Sequence, residues 1–169
     1  MPEDARRRCQ LAEQRKPIIV ALEQLPEDLA ANELDEKLLT LWNEKLLSSC
    51  QETKKWTKRY TQAVERREIL DRLDEAIKSG SEFTVKEIAD ESCLQDFPLP
   101  NDVKKVIEKA EYVVLTVQQL RKAITDKDNY KFLDHFDKEV LKKHESEFED
   151  LRDGLDAMIQ AAIMPPRYL

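Results

Sequence analysis

The chain has 169 residues, of which only 2 are Gly and 37% are charged, and its formal net charge is -7. Low Gly with abundant Glu, Lys, Leu, Ala and Arg favours long helices, because these side chains lose little rotamer freedom in a helix. An acidic protein repels a polyanion on average, so nucleic acid is a disfavoured partner. The sequence has no apolar run of the roughly 18 residues that a membrane span requires.

The first 31 residues are predicted to form short helices that dock on the rest of the domain. Proline inside a helix removes a donor and clashes with the preceding turn, so we expect a break at Pro17. A second short helix would begin there and run to Leu25. This second helix is nearly apolar, which indicates burial.

Residues 32–79 contain no Pro or Gly, and their apolar side chains recur at steps of three and four. That spacing marks one face of a long helix. The pattern weakens at residues 48–53, which leaves open whether the helix is continuous or broken there. Gly80 is predicted to end the helix in the left-handed conformation.

Residues 84–87 have the form of a capping box and predict a short helix from Thr84 to about Cys93. Residues 97–100, Phe-Pro-Leu-Pro, predict a firm turn of extended backbone. Asn101 begins the clearest amphipathic helix. A last helix follows a polar connector at residues 125–128 and is stopped by the prolines at 165–166. Its apolar positions are Leu133, Phe136, Val140, Phe148, Leu151, Leu155, Met158, Ile159 and Ala162.

Short connectors between long amphipathic helices predict antiparallel neighbours. The expected fold class is therefore all-α, an elongated antiparallel helical bundle with three long helices and short connecting helices. Residues 1–31 would dock on one domain of residues 32–169. The abrupt ends of the sequence suggest a segment of a longer chain. Coiled-coil-like packing is expected, and the sequence does not specify an oligomeric state.

Few residues have the spacing of a catalytic or metal site. The triplet of residues 135–137 has the His-x-Asp spacing of an iron-binding facial triad, but such a site needs a second, distant histidine. His144 is nine residues away, about half a turn off on a helix, so surface or boundary histidines are expected. Cys93 could meet a histidine in the fold, yet oxyanion loops, P-loops and dinucleotide-binding turns are missing. We expect a non-enzyme without metal or cofactor.

Three widely spaced cysteines, with no Cys-x-x-Cys pair, are typical of reduced thiols in a cytosolic or nuclear protein. Residues 1–4 contain no apolar segment of the secretory-signal type. An intracellular location is therefore expected.

A basic stripe is interleaved with Trp56 and Tyr60. Its cations are Lys54, Lys55, Lys58, Arg59, Arg66 and Arg67. In a nucleic-acid interface such cations would contact phosphates while an aromatic ring stacks on a base. Because Trp56, Tyr60 and Val64 fall on the apolar face of their helix, we favour core aromatics and a solvated basic face.

The second half of the chain is acidic, since residues 81–169 carry 19 acidic and 13 basic side chains. An acidic surface is predicted on the last helix. Its carboxylates are Glu145, Glu147, Glu149, Asp150, Asp153 and Asp156. Such a surface attracts a basic segment, and the attraction weakens with salt. Other proteins with Lys/Arg-rich peptides, such as histone tails, are the expected partners, and a merely solvated face is the competing interpretation.

Residues 56–124 combine a helix containing Trp56, a short Thr-led helix at 84–92, a Phe-Pro turn at 96–102 and the segment Ile-Glu-Lys-Ala-Glu at 107–111. This order resembles one module of the PLU-type helical region in the JARID class of JmjC histone lysine demethylases. The resemblance implies a non-catalytic helical linker in a nuclear chromatin enzyme. No catalytic residue is carried over.

The expected function is that of a helical scaffold or linker module for protein–protein interaction within a larger, chromatin-associated protein. One alternative is a spectrin-like cytoskeletal or trafficking bundle. Another is a nucleic-acid-contacting helical module that uses the basic stripe.

Overall fold

The computed structural model describes residues 2–163, and every regular element within them is helical. In chain order the α-helices are α1 (Glu3–Glu23), α2 (Ala31–Leu41), α3 (Glu44–Leu47), α4 (Lys54–Ser79), α5 (Glu82–Ala89), α6 (Asn101–Asp126), α7 (Asn129–Asp134), α8 (Lys138–Lys143) and α9 (Arg152–Ile163). Short 3₁₀ segments cover Ser92–Leu94 and Glu145–Leu151. The all-α prediction is confirmed, whereas the antiparallel bundle arrangement stays a prediction.

Contacts along the chain divide it into two compact units. Unit 1 comprises Met1–Lys78 and Ile88–Asn101, and unit 2 comprises Ser79–Glu87 and Asp102–Leu169. Residues 1–31 therefore belong to unit 1, where α1 packs against α2 and α3. Leu22 and Ile18 of α1 pack on helices of the same unit. The predicted docking of residues 1–31 on one domain of residues 32–169 stays a prediction.

The predicted break at Pro17 is wrong, because α1 is one helix from Glu3 to Glu23 with Pro17 inside it. An interior proline costs about 3 kcal/mol in a helix. Packing on both sides of Pro17 offsets that cost. Leu22 is buried and Ile18 packs on the same cluster. The Arg15 guanidinium donates from Nε to the Leu46 carbonyl at 2.5 Å.

The open question about residues 32–79 is settled, since the helix is broken. The break is wider than the weak part of the pattern, because α2 ends at Leu41 and α4 begins only at Lys54. Trp42 leaves the helix in an extended conformation, and the Asn43 side chain caps α3 by accepting from the Leu46 N–H at 3.2 Å. Asparagine competes for backbone donors in this way and so favours caps over helix interiors.

One core cluster of unit 1 lies between α1 and α2. Leu22, Leu34 and Leu38 are buried there. Partly buried residues packed against them are Ile18, Leu25, Leu29, Leu41, Trp42 and Trp56. The Trp42 ring stacks on Tyr60 with centroids 4.5 Å apart. The aromatic residues of the basic stripe thus pack within unit 1, although Trp56, Tyr60 and Val64 are only half-buried.

Gly80 follows α4 with φ of +71°, as its predicted role at the helix end requires. The predicted capping position at Thr84 is wrong, because α5 already begins at Glu82. The Val85 N–H donates to the Ser81 carbonyl at 2.9 Å, and the Ser81 and Thr84 hydroxyls lie 2.8 Å apart. Ser81, an equally good cap, therefore precedes the helix and places Thr84 inside its first turn. The helix also ends at Ala89, short of the predicted Cys93.

The predicted start of α6 at Asn101 is confirmed, and residues 97–100 before it are irregular, as their prolines predict. The predicted apolar face of α6 is buried over most of its length. The buried residues of α6 are Ala110, Val113, Val114, Thr116, Val117, Leu120, Ala123 and Ile124. Part of this face forms the core of unit 2 with Phe132, Val140, Phe148, Leu155 and Met158.

The single last helix predicted after residue 128 is wrong, because the structure has α7, α8, a 3₁₀ segment and α9 in its place. Two aspartates cause the interruptions. Asp128 caps α7 by accepting from the Lys131 N–H, and Asp137 caps α8 by accepting from the Glu139 and Val140 N–H groups. The predicted stop at residues 165–166 lies outside the described residues. Between residues 2 and 163, no helix is both long and apolar enough to cross a membrane.

The interruptions change which side chains of this region are buried. Phe132 is 1% exposed, whereas Leu133 and Phe136 are 51% and 42% exposed. The predicted core positions Leu133 and Phe136 are therefore wrong, since a short α7 turns a different face inward from a continuous helix. Val140, Phe148, Leu155 and Met158 are buried as predicted.

Candidate partner-binding surface

The acidic surface comprises six exposed carboxylates in unit 2, placed by two different kinds of helix. Glu145, Glu147, Glu149 and Asp150 lie on the 3₁₀ segment, and Asp153 and Asp156 lie on α9. The tighter 3₁₀ winding of about three residues per turn spreads the first four around that segment. The structure therefore brings the predicted residues into one region, although not onto one face of a single helix.

Two of the six carboxylates already have a cationic partner. Asp150 accepts from both terminal nitrogens of Arg121, each at 2.7 Å, and the same guanidinium also donates to the Glu147 carbonyl. The hydrogen bond from Arg121 lowers the pKa of Asp150 below its usual range. Glu145 lies 3.4 Å from Arg152 in a more exposed pair.

The remaining four carboxylates are exposed. Among residues 2–163, the side chains of Glu147, Glu149, Asp153 and Asp156 form no ion pair, although the charge of Glu147 also acts on Arg121. Exposed carboxylates attract cations over about a Debye length, roughly 8 Å at physiological salt.

A cleft opens within the acidic surface, between α8, the 3₁₀ segment and α9. Its volume is about 170 Å³. Leu141, Phe148, Leu155 and Ile159 supply its apolar lining. Its charged lining is Lys142, Glu145, Glu149, Arg152 and Asp156. Helical spacing did not predict this cleft, because it marks apolar residues only as core. The one feature of the sequence that could have indicated the cleft is an apolar residue flanked by acidic residues.

The basic stripe does not form one cationic face. Arg66 points into unit 1, where Nε and Nη2 donate to the two carboxylate oxygens of Asp35 at 2.5 and 2.6 Å. Its guanidinium also lies 5.2 Å from the centre of the Phe97 ring. The expectation of six solvated cations is therefore wrong for Arg66. Lys54, Lys58, Arg59 and Arg67 are exposed.

The aromatic rings of the basic stripe are also engaged. Tyr60 stacks on Trp42, and Lys55 lies 5.9 Å over the Trp56 ring. A ring that already stacks on another residue offers one face less to a nucleic-acid base. These contacts disfavour the nucleic-acid interface among the candidate surfaces.

The His-x-Asp triplet and Cys93, which were considered for catalysis, lie in local environments that explain them without a catalytic role. Asp137 of the His-x-Asp triplet caps α8, while His135 is exposed. In the part of the chain that the structure describes, no group of three or more His, Cys, Asp and Glu residues could hold a metal ion. Burial raises the pKa of the Cys93 thiol, so its reactive thiolate is scarce at neutral pH.

His144 and Glu82 form a mostly buried contact in unit 2. Nε2 of His144 lies 3.4 Å from Oε2 of Glu82, and the imidazole meets the Phe83 ring edge-on at 5.5 Å. Lys143 pairs with the other oxygen of Glu82. Burial is the largest single influence and raises the pKa of Glu82. The Lys143 hydrogen bond, a backbone hydrogen bond and the charges of Lys143 and His144 together outweigh it, so the net shift is downward. This contact ties α5 to the end of α8.

The Asp137 cap gives a testable pH dependence. The hydrogen bond from the Val140 N–H, with those from the Tyr112 hydroxyl and the Glu139 N–H, lowers the pKa of Asp137. Its contribution to stability is therefore present above the pKa of an unfolded aspartate and is lost as pH falls through the lower, folded value. We expect Asp137→Ala to lower the free energy of unfolding by about 1 kcal/mol at pH 7 and by less near pH 3.

Asp137→Asn is the matched control, because asparagine caps helices about as well but does not titrate. Urea unfolding of the three proteins at both pH values measures the effect. Equal losses at pH 7 and pH 3 in Asp137→Ala would contradict the assignment of the pH dependence to this cap.

Comparison of the chain with protein-family models, with curated proteins and with solved structures found no match.

Proposed function

We propose that this chain is a non-catalytic helical scaffold or linker module that binds a Lys/Arg-rich segment of another protein through its acidic surface. The observation that carries the proposal is a set of four exposed carboxylates without an ion-pair partner, of which Glu149 and Asp156 line a cleft with an apolar floor. The other two are Glu147 and Asp153, which lie close to them in sequence but outside the cleft. Charges of one sign on a surface steer an oppositely charged partner and select against like-charged ones. The resemblance to the PLU-type region makes histone tails and a nuclear, chromatin-associated parent protein part of this proposal.

A charge-reversal variant tests the proposal. Glu147, Asp153 and Asp156 are changed to Lys together, while Asp150 is left in place because it holds Arg121. We expect affinity for a Lys-rich peptide to fall about tenfold or more at low salt, since each exposed pair contributes up to about 1 kcal/mol and reversal adds repulsion. Isothermal titration calorimetry at low and physiological salt measures it.

The matched control reverses three exposed carboxylates elsewhere, Glu13, Glu68 and Glu75. It changes the net charge by the same amount but leaves the acidic surface intact. Equal loss of affinity in the two triple variants would show that net charge alone is responsible. Peptide binding that survives reversal of the acidic surface would exclude that surface as the site.

A further inference from the structure

The cleft in the acidic surface has an apolar floor that is built into the core of unit 2. Phe148 is 1% exposed and Leu155 9% exposed, and both belong to the buried cluster around α6. Leu141 and Ile159 pack against the same cluster and are only partly buried, so they supply most of the apolar surface that a ligand can reach. A floor held by core packing is preorganised, so a ligand does not have to order it on binding.

The size of the cleft matches one large apolar side chain. Its volume is about 170 Å³. An apolar protein cavity of about 150 Å³, lined by Leu, Ile and Phe, is large enough to hold benzene. A single Phe, Leu, Ile or Met side chain is therefore of a size to enter the cleft between its charged rim residues.

The charged residues around the cleft indicate which residues should flank the apolar side chain in the bound segment. Glu149 and Asp156 line the cleft and are among the unpaired carboxylates described above. Glu145, the third carboxylate of the rim, is held only by the exposed Arg152, and such surface pairs are weak enough to be exchanged for a ligand cation. Lys142 and Arg152 leave the rim only slightly acidic by themselves. Glu147 and Asp153 nearby add the remaining negative charge.

We infer that the cleft binds a single Phe- or Leu-sized side chain of the Lys/Arg-rich segment, with basic residues on both sides of it meeting Glu149 and Asp156. The inference rests on the proposed function and adds an apolar anchor to it. The partner is thus defined as a basic segment with one large apolar residue among its Lys or Arg residues. A uniformly basic segment is the weaker ligand.

Two synthetic peptides of equal charge test the anchor directly. Both are Lys-rich and differ only at the central residue, which is Phe in one and Ala in the other. We expect the Phe peptide to bind the full chain about 10- to 100-fold more tightly, as burial of one such side chain implies. Titration calorimetry at physiological salt gives both dissociation constants.

Two variants of α9 test whether the apolar side chain of the peptide binds in the cleft. Ile159→Asn places a polar amide in the floor, whereas Ile163→Asn, on the same helix, changes a residue that is 75% exposed and outside the cleft. We expect the preference for Phe over Ala to disappear in Ile159→Asn and to persist in Ile163→Asn. Circular dichroism checks that both variants fold, and the two-peptide comparison on the unchanged chain does not depend on either.

The outcomes separate the anchor from the charge proposal. Equal binding of both peptides, abolished by the charge reversal, overturns the anchor and leaves the proposed function standing. Absence of binding by either peptide overturns both. A Phe preference that survives in Ile159→Asn overturns the location in the cleft. Self-association of the chain that Ile159→Asn abolishes would show that a second copy occupies the cleft, and it also overturns the inference.

Discussion

Phe132→Ala is expected to lower the free energy of unfolding by about 3–5 kcal/mol, while Leu133→Ala changes it little. Truncating a fully buried Phe removes its transfer free energy and leaves a cavity in a packed core. Phe132 is among the largest fully buried side chains of the described residues, whereas its neighbour Leu133 is exposed to solvent. Equilibrium denaturation in urea, with circular dichroism as the probe, measures both variants.

The comparison also tests how α7 is oriented. A continuous last helix would place Leu133 and Phe136 on its inner face, whereas the short α7 after the Asp128 cap places Phe132 there. A larger loss from Leu133→Ala than from Phe132→Ala would contradict the short helix and support the continuous one.

Asp35→Ala is expected to lower the free energy of unfolding by about 3 kcal/mol. Asp35 is buried on α2 and is bound at both carboxylate oxygens by the largely buried Arg66 of α4. Removing one partner of a buried ion pair leaves the other charge without compensation, which costs about 3–5 kcal/mol. Arg66 keeps some access to water, so the lower end of that range applies.

Two further proteins serve as controls for Asp35→Ala. In Asp74→Ala an exposed ion pair with Lys78 is broken on the same helix as Arg66, and its free energy of unfolding should be unchanged within error. Asp35→Leu combined with Arg66→Met removes both charges and should recover most of the loss. A double variant less stable than Asp35→Ala would contradict the uncompensated charge as the cause.

The helical periodicity of the sequence was sufficient for the fold class and for the best-defined helix. The buried face of α6, from Ala110 to Ile124, follows directly from apolar residues at steps of three and four. Gly80 and Asn101 also mark helix ends at the predicted positions. These features depend on local interactions, which a single sequence displays.

Features that depend on tertiary contacts could not be predicted. Pro17 stays inside α1 because packing of Leu22 offsets a local penalty. Arg66 leaves the basic stripe because Asp35 lies 31 positions earlier in the sequence but adjacent to it in the fold. Asp128 and Asp137 are residue types that commonly cap helices. In a segment with helical spacing of apolar residues, however, an aspartate can equally lie on the solvent side of one long helix, so the caps could not be predicted.

The acidic surface also combines features that the sequence predicts with features that depend on tertiary contacts. Its six residues are close in sequence, so their grouping was predictable from composition. The cleft among them depends on how α8, the 3₁₀ segment and α9 meet, which the periodic pattern does not specify. Likewise, only the fold reveals that Asp150 is held by Arg121. In the proposed function, the other acidic residues would therefore supply the attraction.

If the acidic surface binds a basic protein segment, that segment should leave a footprint there on the unchanged chain. Hydrogen–deuterium exchange of the full chain, with and without a Lys-rich peptide carrying a central Phe, gives this footprint. We predict slower exchange confined to residues 141–159 and weakening as salt is raised. Protection on the basic stripe of α4, or no protection anywhere at saturating peptide, would contradict the claim.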